Sequence, residues 1–373
     1  MSHVVLAPDK FRGSLTAQEV AEHLAAGIAE VAPDVEVRRT PIADGGDGTL
    51  DAAVSAGFRR VPVRAPGPTG RVLDTAYAVR DGTAVVELAD VSGLRRLSGG
   101  APAPLRASSH GTGEVIRAAV SAGCHTVVLG LGGSACTDGG AGMLRALGAR
   151  LFDEAGRPVG PGGAALARLA RLDLSAVRST IADVRIVLAS DVDNPLVGPA
   201  GAAAIYGPQK GATPADVALL EAGLRRWAEL VRREAGGDWA GAPSAGAAGG
   251  VGFAALAVLG AEPRSGVDFL LDLLDIRAPL RNARLAVTGE GMLDEQTLHG
   301  KAPAGLAAAA RAVGVPVVVV AGQVTVRTAA LRRAGVERAY SLTDLEPDLS
   351  RCVANAGPLV RCVGARLARE WLR

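Results

Sequence analysis

The sequence predicts an α/β protein with room for two domains, and three observations carry that prediction. Strand-like apolar runs alternate with helical patterns along most of the chain. The 373 residues, 49% of them hydrophobic, suffice for more than one core. From about Arg59 to Ala89 the alternation gives way to runs that read as antiparallel strands, so one of the domains is expected to be mixed α/β.

Taken in order, "HVVLAP" (His3 to Pro8) reads as a buried strand. The helix after it opens at Thr16, where Glu19 three positions on completes a capping box, and Val20, Leu24, Ile28 and Val31 form its apolar stripe. "RRVPVRA", "LDTAYAV" and "AVVELA" follow as strands, with Asp81-Gly82 as a hairpin turn. "HTVVLGL" (His125 to Leu131) is a strand that runs into a glycine loop and a helix. "VRIVLASD" ends at Asp191 and leads into an irregular stretch to Thr213, which caps a helix with Pro214 in its first position and Asp216 in its first turn. Two more strand-loop units end at Glu290 and Gly322, and a last helix is expected from about Asp348 to Leu372. Trp239 to Gly252 has the Gly/Ala composition of a linker, but its lack of Ser/Glu/Lys repeats fits an ordered glycine loop as well.

Charge and composition exclude some classes. With 40 basic and 38 acidic residues the formal net charge is +2, and aromatics are 3% of the chain, so no nucleic-acid partner is expected. Cys124, Cys136, Cys352 and Cys362 have no metal-type spacing, which fits a reduced, intracellular compartment. No basic n-region opens the chain and no apolar stretch reaches the roughly 18 residues of a membrane helix, so no membrane association and a cytoplasmic protein are expected. A homo-oligomer is compatible with these features.

Five strand ends carry polar groups, the place where open α/β sheets collect ligands. They are "APDKFRGS" (Ala7 to Ser14), "PIADGGDGT" (Pro41 to Thr49), "GLGGSACTDGG" (Gly130 to Gly140), "ASDVDNP" (Ala189 to Pro195) and "TGEGMLDEQT" (Thr288 to Thr297). Gly130 to Ala135 matches the dinucleotide fingerprint G-x-G-x-x-[GA], with Asp153 about 20 residues on. Asp138 argues against a bare pyrophosphate there and for a phosphate accompanied by Mg²⁺. The plainer reading has Asp138 capping a helix through the Gly139 and Gly140 N–H groups. "SHGTGE" (Ser109 to Glu114) resembles a helix start suited to an anion. No GxxxxGK[ST] occurs, and the protein-kinase loop set is absent, so a kinase reading needs another phosphate cradle. Asp191 could ligate Mg²⁺ or accept a hydroxyl proton. Lys10 and Arg12 could hold a phosphate or a carboxylate.

Seven stretches read in order are similar to one family. They are "APDKFRGSLTAQEV", "PIADGGDGT", "SSHGTGEVI", "GLGGSACTDGGAGML", "DVDNPLVGPAGAAAIYGPQKGAT", "SAGAAGGVG" and "TGEGMLDEQTLHGKAPAG", and they resemble the type I bacterial glycerate kinases from about Val4 to Gly322. The resemblance implies ATP-dependent phosphorylation of glycerate, typically to 2-phosphoglycerate. It also implies a flavodoxin-like doubly wound parallel sheet and a mixed α/β domain, with the active site in the cleft between them. The expected division is 1–60 plus 284–373 around an inserted 61–283. Within that expectation Asp191, then Asp44, takes the glycerate hydroxyl proton, and Lys10 and Lys301 complete the catalytic set. Arg12, Ser14, Lys210 and Glu290 bind substrate. Gly111, Thr112, Gly132, Gly133, Ser134, Gly139 and Gly140 cradle ATP, and Asp138 or Asp191 positions Mg²⁺. Four positions depart from the family pattern: Cys136 and Thr137 before Asp138, Met292 in place of an arginine, and Ser244 in place of a glycine. The rival readings are an NAD(P)-dependent hydroxy-acid dehydrogenase using the Gly130 loop and a non-catalytic hydroxy-acid sensor.

Overall fold

The computed structural model describes residues 3–43, 45–295, 297 and 301–372. In chain order its strands are β1 (His3–Pro8), β2 (Val37–Arg39), β3 (Arg59–Pro66), β4 (Val72–Arg80), β5 (Thr83–Glu87), β6 (Thr126–Gly130), β7 (Arg150–Phe152), β8 (Arg171–Asp173), β9 (Arg185–Ala189), β10 (Glu262–Arg264), β11 (Ala283–Leu293), β12 (Val317–Val324) and β13 (Arg338–Ser341). The chain divides into two compact units. One comprises Met1–Asp44, Asp51–Ala56 and Val267–Arg373, the other Gly45–Leu50 and Gly57–Gly266.

The first unit is built on a five-stranded sheet in the order β13-β12-β11-β1-β2, with every pair parallel. Such a sheet is buried on both faces, which explains unbroken apolar runs such as "VVVV" from Val317 to Val320. Alternate residues Val4, Leu6, Leu285, Val287, Val318 and Val320 share a core with Leu24, Ile28, Val360 and Leu367, contributed by helices Ala17–Val31 and Ala356–Trp371. Helix Ala302–Arg311 packs on β11, β12 and β1. Thr16 and Glu19 form the expected capping box. The first and last helices approach so closely that a Cβ on Gly27 would lie 2.0 Å from the Arg361 carbonyl oxygen, hence glycine there. The expected single C-terminal helix is two, Leu349–Ala354 and Ala356–Trp371, broken at Asn355. Helix Arg277–Leu280 packs on β11 and on helix Ala302–Arg311 within this unit.

The second unit carries a six-stranded sheet, β10-β9-β6-β5-β4-β3. β10, β9, β6 and β5 are parallel, whereas β4 and β3 run antiparallel as a meander. Asp81 and Gly82 turn β4 into β5 with φ of 49° and 72°, the left-handed pair that a tight hairpin requires. Val86, Leu129 and Leu188 from the sheet, Leu224 and Trp227 from helix Pro214–Ala235, and Phe253 from helix Ala247–Ala257 form the core. The linker-like stretch is ordered. It enters helix Ala247–Ala257 through three left-handed residues, Ala248, Gly249 and Gly250, and the Gly249 carbonyl accepts from Gly139 N–H at 3.0 Å. Ser244 holds φ +66, the conformation glycine adopts without cost, and its hydroxyl donates to the Val192 carbonyl at 2.9 Å.

Candidate active site

In the second unit β5, β6 and β9 end side by side at Glu87, Gly130 and Ala189. Two glycine motifs meet over those ends. A Cβ on Gly130 would lie 2.6 Å from the Gly45 carbonyl oxygen, one on Gly132 2.5 Å from Gly46 Cα, and one on Gly133 2.9 Å from the Asp47 carboxylate. Loops 45–50 and 130–135 therefore stack with no space for side chains between them. Gly133 is exposed, with φ +61. Among the described residues, the main-chain N–H groups of Gly132, Gly133 and Ser134 have no protein acceptor.

Glu87 anchors the upper loop. It is 2% exposed. One carboxylate oxygen accepts from Gly48 N–H (3.1 Å) and Leu50 N–H (3.0 Å), and the other from the Arg95 guanidinium (2.9 Å). Arg95 also lies 3.2 Å from Asp90 and 3.8 Å from Asp47. Burial pushes the Glu87 carboxyl up to about 7, against the pull of the Leu50 N–H and Arg95. Sequence reasoning passed over Glu87 and Arg95. The available signal was a glutamate closing the otherwise apolar run "AVVE".

Asp138 is 1% exposed and accepts five hydrogen bonds, from Ser108 and Ser109 hydroxyls (3.1 and 3.0 Å) and from the N–H groups of Ser109 (2.8 Å), Gly140 (3.2 Å) and Gly142 (3.2 Å). Four of these fall on Oδ2 and one on Oδ1; the Gly140 bond matches the plainer capping reading, whereas Gly139 N–H goes instead to the Gly249 carbonyl. Both N–H groups are thus taken, so neither is available to a phosphate. Gly111 is buried against the Pro66 carbonyl, and the Thr112 hydroxyl donates to Ser92 at 2.9 Å. Both belong to packing around helix His110–Ser121. Helix Ala141–Ala146 starts six residues after Ala135, so the Gly130 fingerprint does not open directly into a helix as a dinucleotide loop must.

Lys210 is 2% exposed. Its ammonium donates to the Cys136 carbonyl (2.5 Å), Ser134 Oγ (2.9 Å) and, more distantly, Thr137 Oγ1 (3.5 Å). These account for its three N–H donors, so none remains for a substrate carboxylate. Asp191 lies just past β9, exposed, with one oxygen accepting Gly266 N–H at 2.9 Å.

The first unit gathers a second set. Strand order reverses between β1 and β11, the switch point at which parallel sheets open a crevice. Asp9 N–H donates to the Gly289 carbonyl (2.8 Å), which fixes the β1 exit beside β11. There Lys10 Nζ lies 3.5 Å from Asp9, and Lys301 Nζ 3.5 Å from Glu290. Gly291 sits against the Arg12 main chain, and Arg12 is exposed. Ser14 turns its hydroxyl back to the Phe11 carbonyl at 3.2 Å, closing the loop. Asp44 lies outside the described residues. Met292, at the position of the family arginine, is exposed.

Comparison with known proteins decides the family. The model of the "Glycerate kinase family" matches residues 4–372. The chain belongs to the glycerate kinase family. Curated relatives include a glycerate kinase of Bacillus subtilis (strain 168), 41% identical over 342 residues, 91% of this chain and 90% of that protein. The glycerate 2-kinase of Escherichia coli (strain K12) is 39% identical over 343 residues, again 91% and 90%. A crystal structure of a protein provisionally named glycerate kinase 2, from Salmonella typhimurium LT2, superposes with a TM-score of 0.84 at 39% identity, covering 99% of this chain and 98% of that one. Like other glycerate kinases this chain is therefore an enzyme of the kinase class with an α/β fold. All four cysteines are free thiols, and no helix among the described residues is long and apolar enough to cross a membrane.

Proposed function

We propose that the protein transfers the γ-phosphoryl group of ATP to D-glycerate, at the 2-hydroxyl, giving 2-phosphoglycerate. The observation that carries this reading is the family match across residues 4–372; the name of the E. coli relative supports the 2-position.

The main-chain N–H groups of Gly132, Gly133 and Ser134 would take ATP phosphate oxygens, since they are successive donors that lack protein acceptors. Lys10, Arg12 and Lys301 would hold the glycerate carboxylate and the transferring phosphoryl group, with Asp9 and Glu290 keeping the two lysines in place. Phosphoryl transfer proceeds through a loose transition state, so the acceptor proton leaves late and an ionised aspartate suffices to orient the hydroxyl and collect it. Asp191 suits that role, being exposed with its carboxylate oriented by Gly266 N–H. Mg²⁺ would supply charge neutralisation of the triphosphate. It needs only one or two protein carboxylates, and Asp191 and Asp193, both exposed on the β9 exit loop, are more accessible to it than Asp138, which is 1% exposed and accepts five hydrogen bonds. The first unit is read as flavodoxin-like, because its strands, numbered within the unit, lie in the order 2-1-3-4-5.

Phosphorus and carbon NMR of a reaction with ATP, Mg²⁺ and D-glycerate tests the reading. The expected product carries phosphate on C2. Phosphate on C3 would overturn the positional assignment, and absence of ADP would overturn the activity.

A further inference from the structure

Lys210 occupies an unusual place for a lysine. It ends the short 3₁₀ turn Pro208–Lys210, ahead of the left-handed Gly211, and is buried to within 2% of its surface. Among the described residues no carboxylate touches its Nζ. All its donors go to one arc of chain, Ser134 to Thr137, through two hydroxyls and a carbonyl. Immediately beyond that arc Asp138 is equally buried and is tied to Ser109 at the start of helix His110–Ser121 and to Gly140 and Gly142. A cation thus grips the loop on one side and an anion grips the next residue on the other. Burial pulls the lysine below its ordinary pKa, and the Asp138 carboxylate offsets part of that effect. Burying an ammonium against neutral oxygens is costly, which makes it a poor device for stability alone. The stretch of the same loop that precedes the grip is the Gly132-Gly133 corner, half-buried at Gly132 and exposed at Gly133.

We propose that Lys210 is a positioning residue for ATP: it holds the Ser134–Thr137 arc so that the Gly132, Gly133 and Ser134 N–H groups converge on one phosphate. This rests on the reading of that loop as the ATP cradle. It reassigns Lys210 from substrate contact to action through the loop.

The test uses the full-length Lys210→Met enzyme, which keeps the stem and removes the ammonium. Two quantities are read: hydrogen exchange of the amides between Leu131 and Asp138, and KM for ATP and for D-glycerate separately. Exchange of the hydrogen-bonded amides of that segment, such as Ala135 N–H on the Ser92 carbonyl, is expected to rise at least tenfold. KM for ATP is expected to rise about tenfold, with KM for glycerate within twofold and kcat within a few-fold. Unchanged exchange overturns the role of Lys210. Faster exchange with an unchanged KM for ATP overturns the ATP-cradle reading on which the proposal rests. A rise confined to the glycerate KM returns Lys210 to direct substrate contact. Should Lys210→Met fail to fold, Ser134→Ala removes only the 2.9 Å acceptor and is expected to move exchange of residues 135–138 in the same direction by a smaller factor; no change there overturns the proposal.

Discussion

Replacing Glu87 with glutamine isolates the energetic cost of burying one carboxylate under the Gly45–Leu50 loop. In the folded chain its carboxyl titrates near 7 instead of 4.5, chiefly because burial removes water from the ionised form. Below pH 4.5 the group is neutral in both folded and unfolded chains and costs nothing. Between 4.5 and 7 the folded state binds more protons, so stability falls as pH rises. Above 7 the group is ionised in both states and the full cost applies. Each unit of pKa difference is worth about 1.4 kcal/mol, which sets the total at about 3 kcal/mol. Glu87→Gln lacks this titration while keeping an oxygen to accept from Gly48 and Leu50 N–H. The wild type should therefore lose about 3 kcal/mol relative to the variant between pH 4 and pH 8. Urea unfolding in a Trp371→Phe background reads this through Trp227 and Trp239, both in the same unit as Glu87. A wild-type-minus-variant difference that stays flat across that range, or rises with pH, refutes the reasoning.

Asp191→Asn should lower kcat by roughly 10²–10⁴-fold, as removal of a proton acceptor does, with a thermal midpoint within a few degrees of wild type; near-normal turnover removes Asp191 from the chemistry. Asp138→Ala strands the buried N–H groups of Ser109, Gly140 and Gly142 and should cost about 3–5 kcal/mol by chemical denaturation. A stable Asp138→Ala protein with only a raised Mg²⁺ requirement would instead make that residue a metal ligand.

Local chemistry made much of the fold legible. The capping boxes at Thr16–Glu19 and Thr213–Asp216 start their helices where the sequence places them, because a side-chain oxygen and an N–H three residues on need no tertiary partner. β1 spans His3–Pro8 as read, since a run of buried residues bounded by an Asp-Lys loop leaves little choice. What the sequence hides is where a polar group's hydrogen bonds go. Asp138 and Lys210 look like ligands in a glycine-rich string. Only three-dimensional packing brings Ser108 and Ser109 to one and the arc Ser134–Thr137 to the other. Glu87 was invisible for the same reason, its partners Gly48 and Leu50 being 39 and 37 residues away. The Gly/Ala run before Val251 resembles a linker because its purpose is close backbone approach, which composition does not distinguish from flexibility.

The seating of helix Ala17–Val31 against helix Ala356–Trp371 bears on how the chain is made. Glu30 pairs with Arg361 across 331 residues, and the last helix supplies Val360, Val363, Leu367 and Ala368 to the core it shares with β1. β1 and helix Ala17–Val31 therefore wait unsheathed for partners made after residues 57–266, with apolar faces open to chaperones, while those intervening residues, nearly the whole of the other unit, emerge in one piece and can collapse during translation.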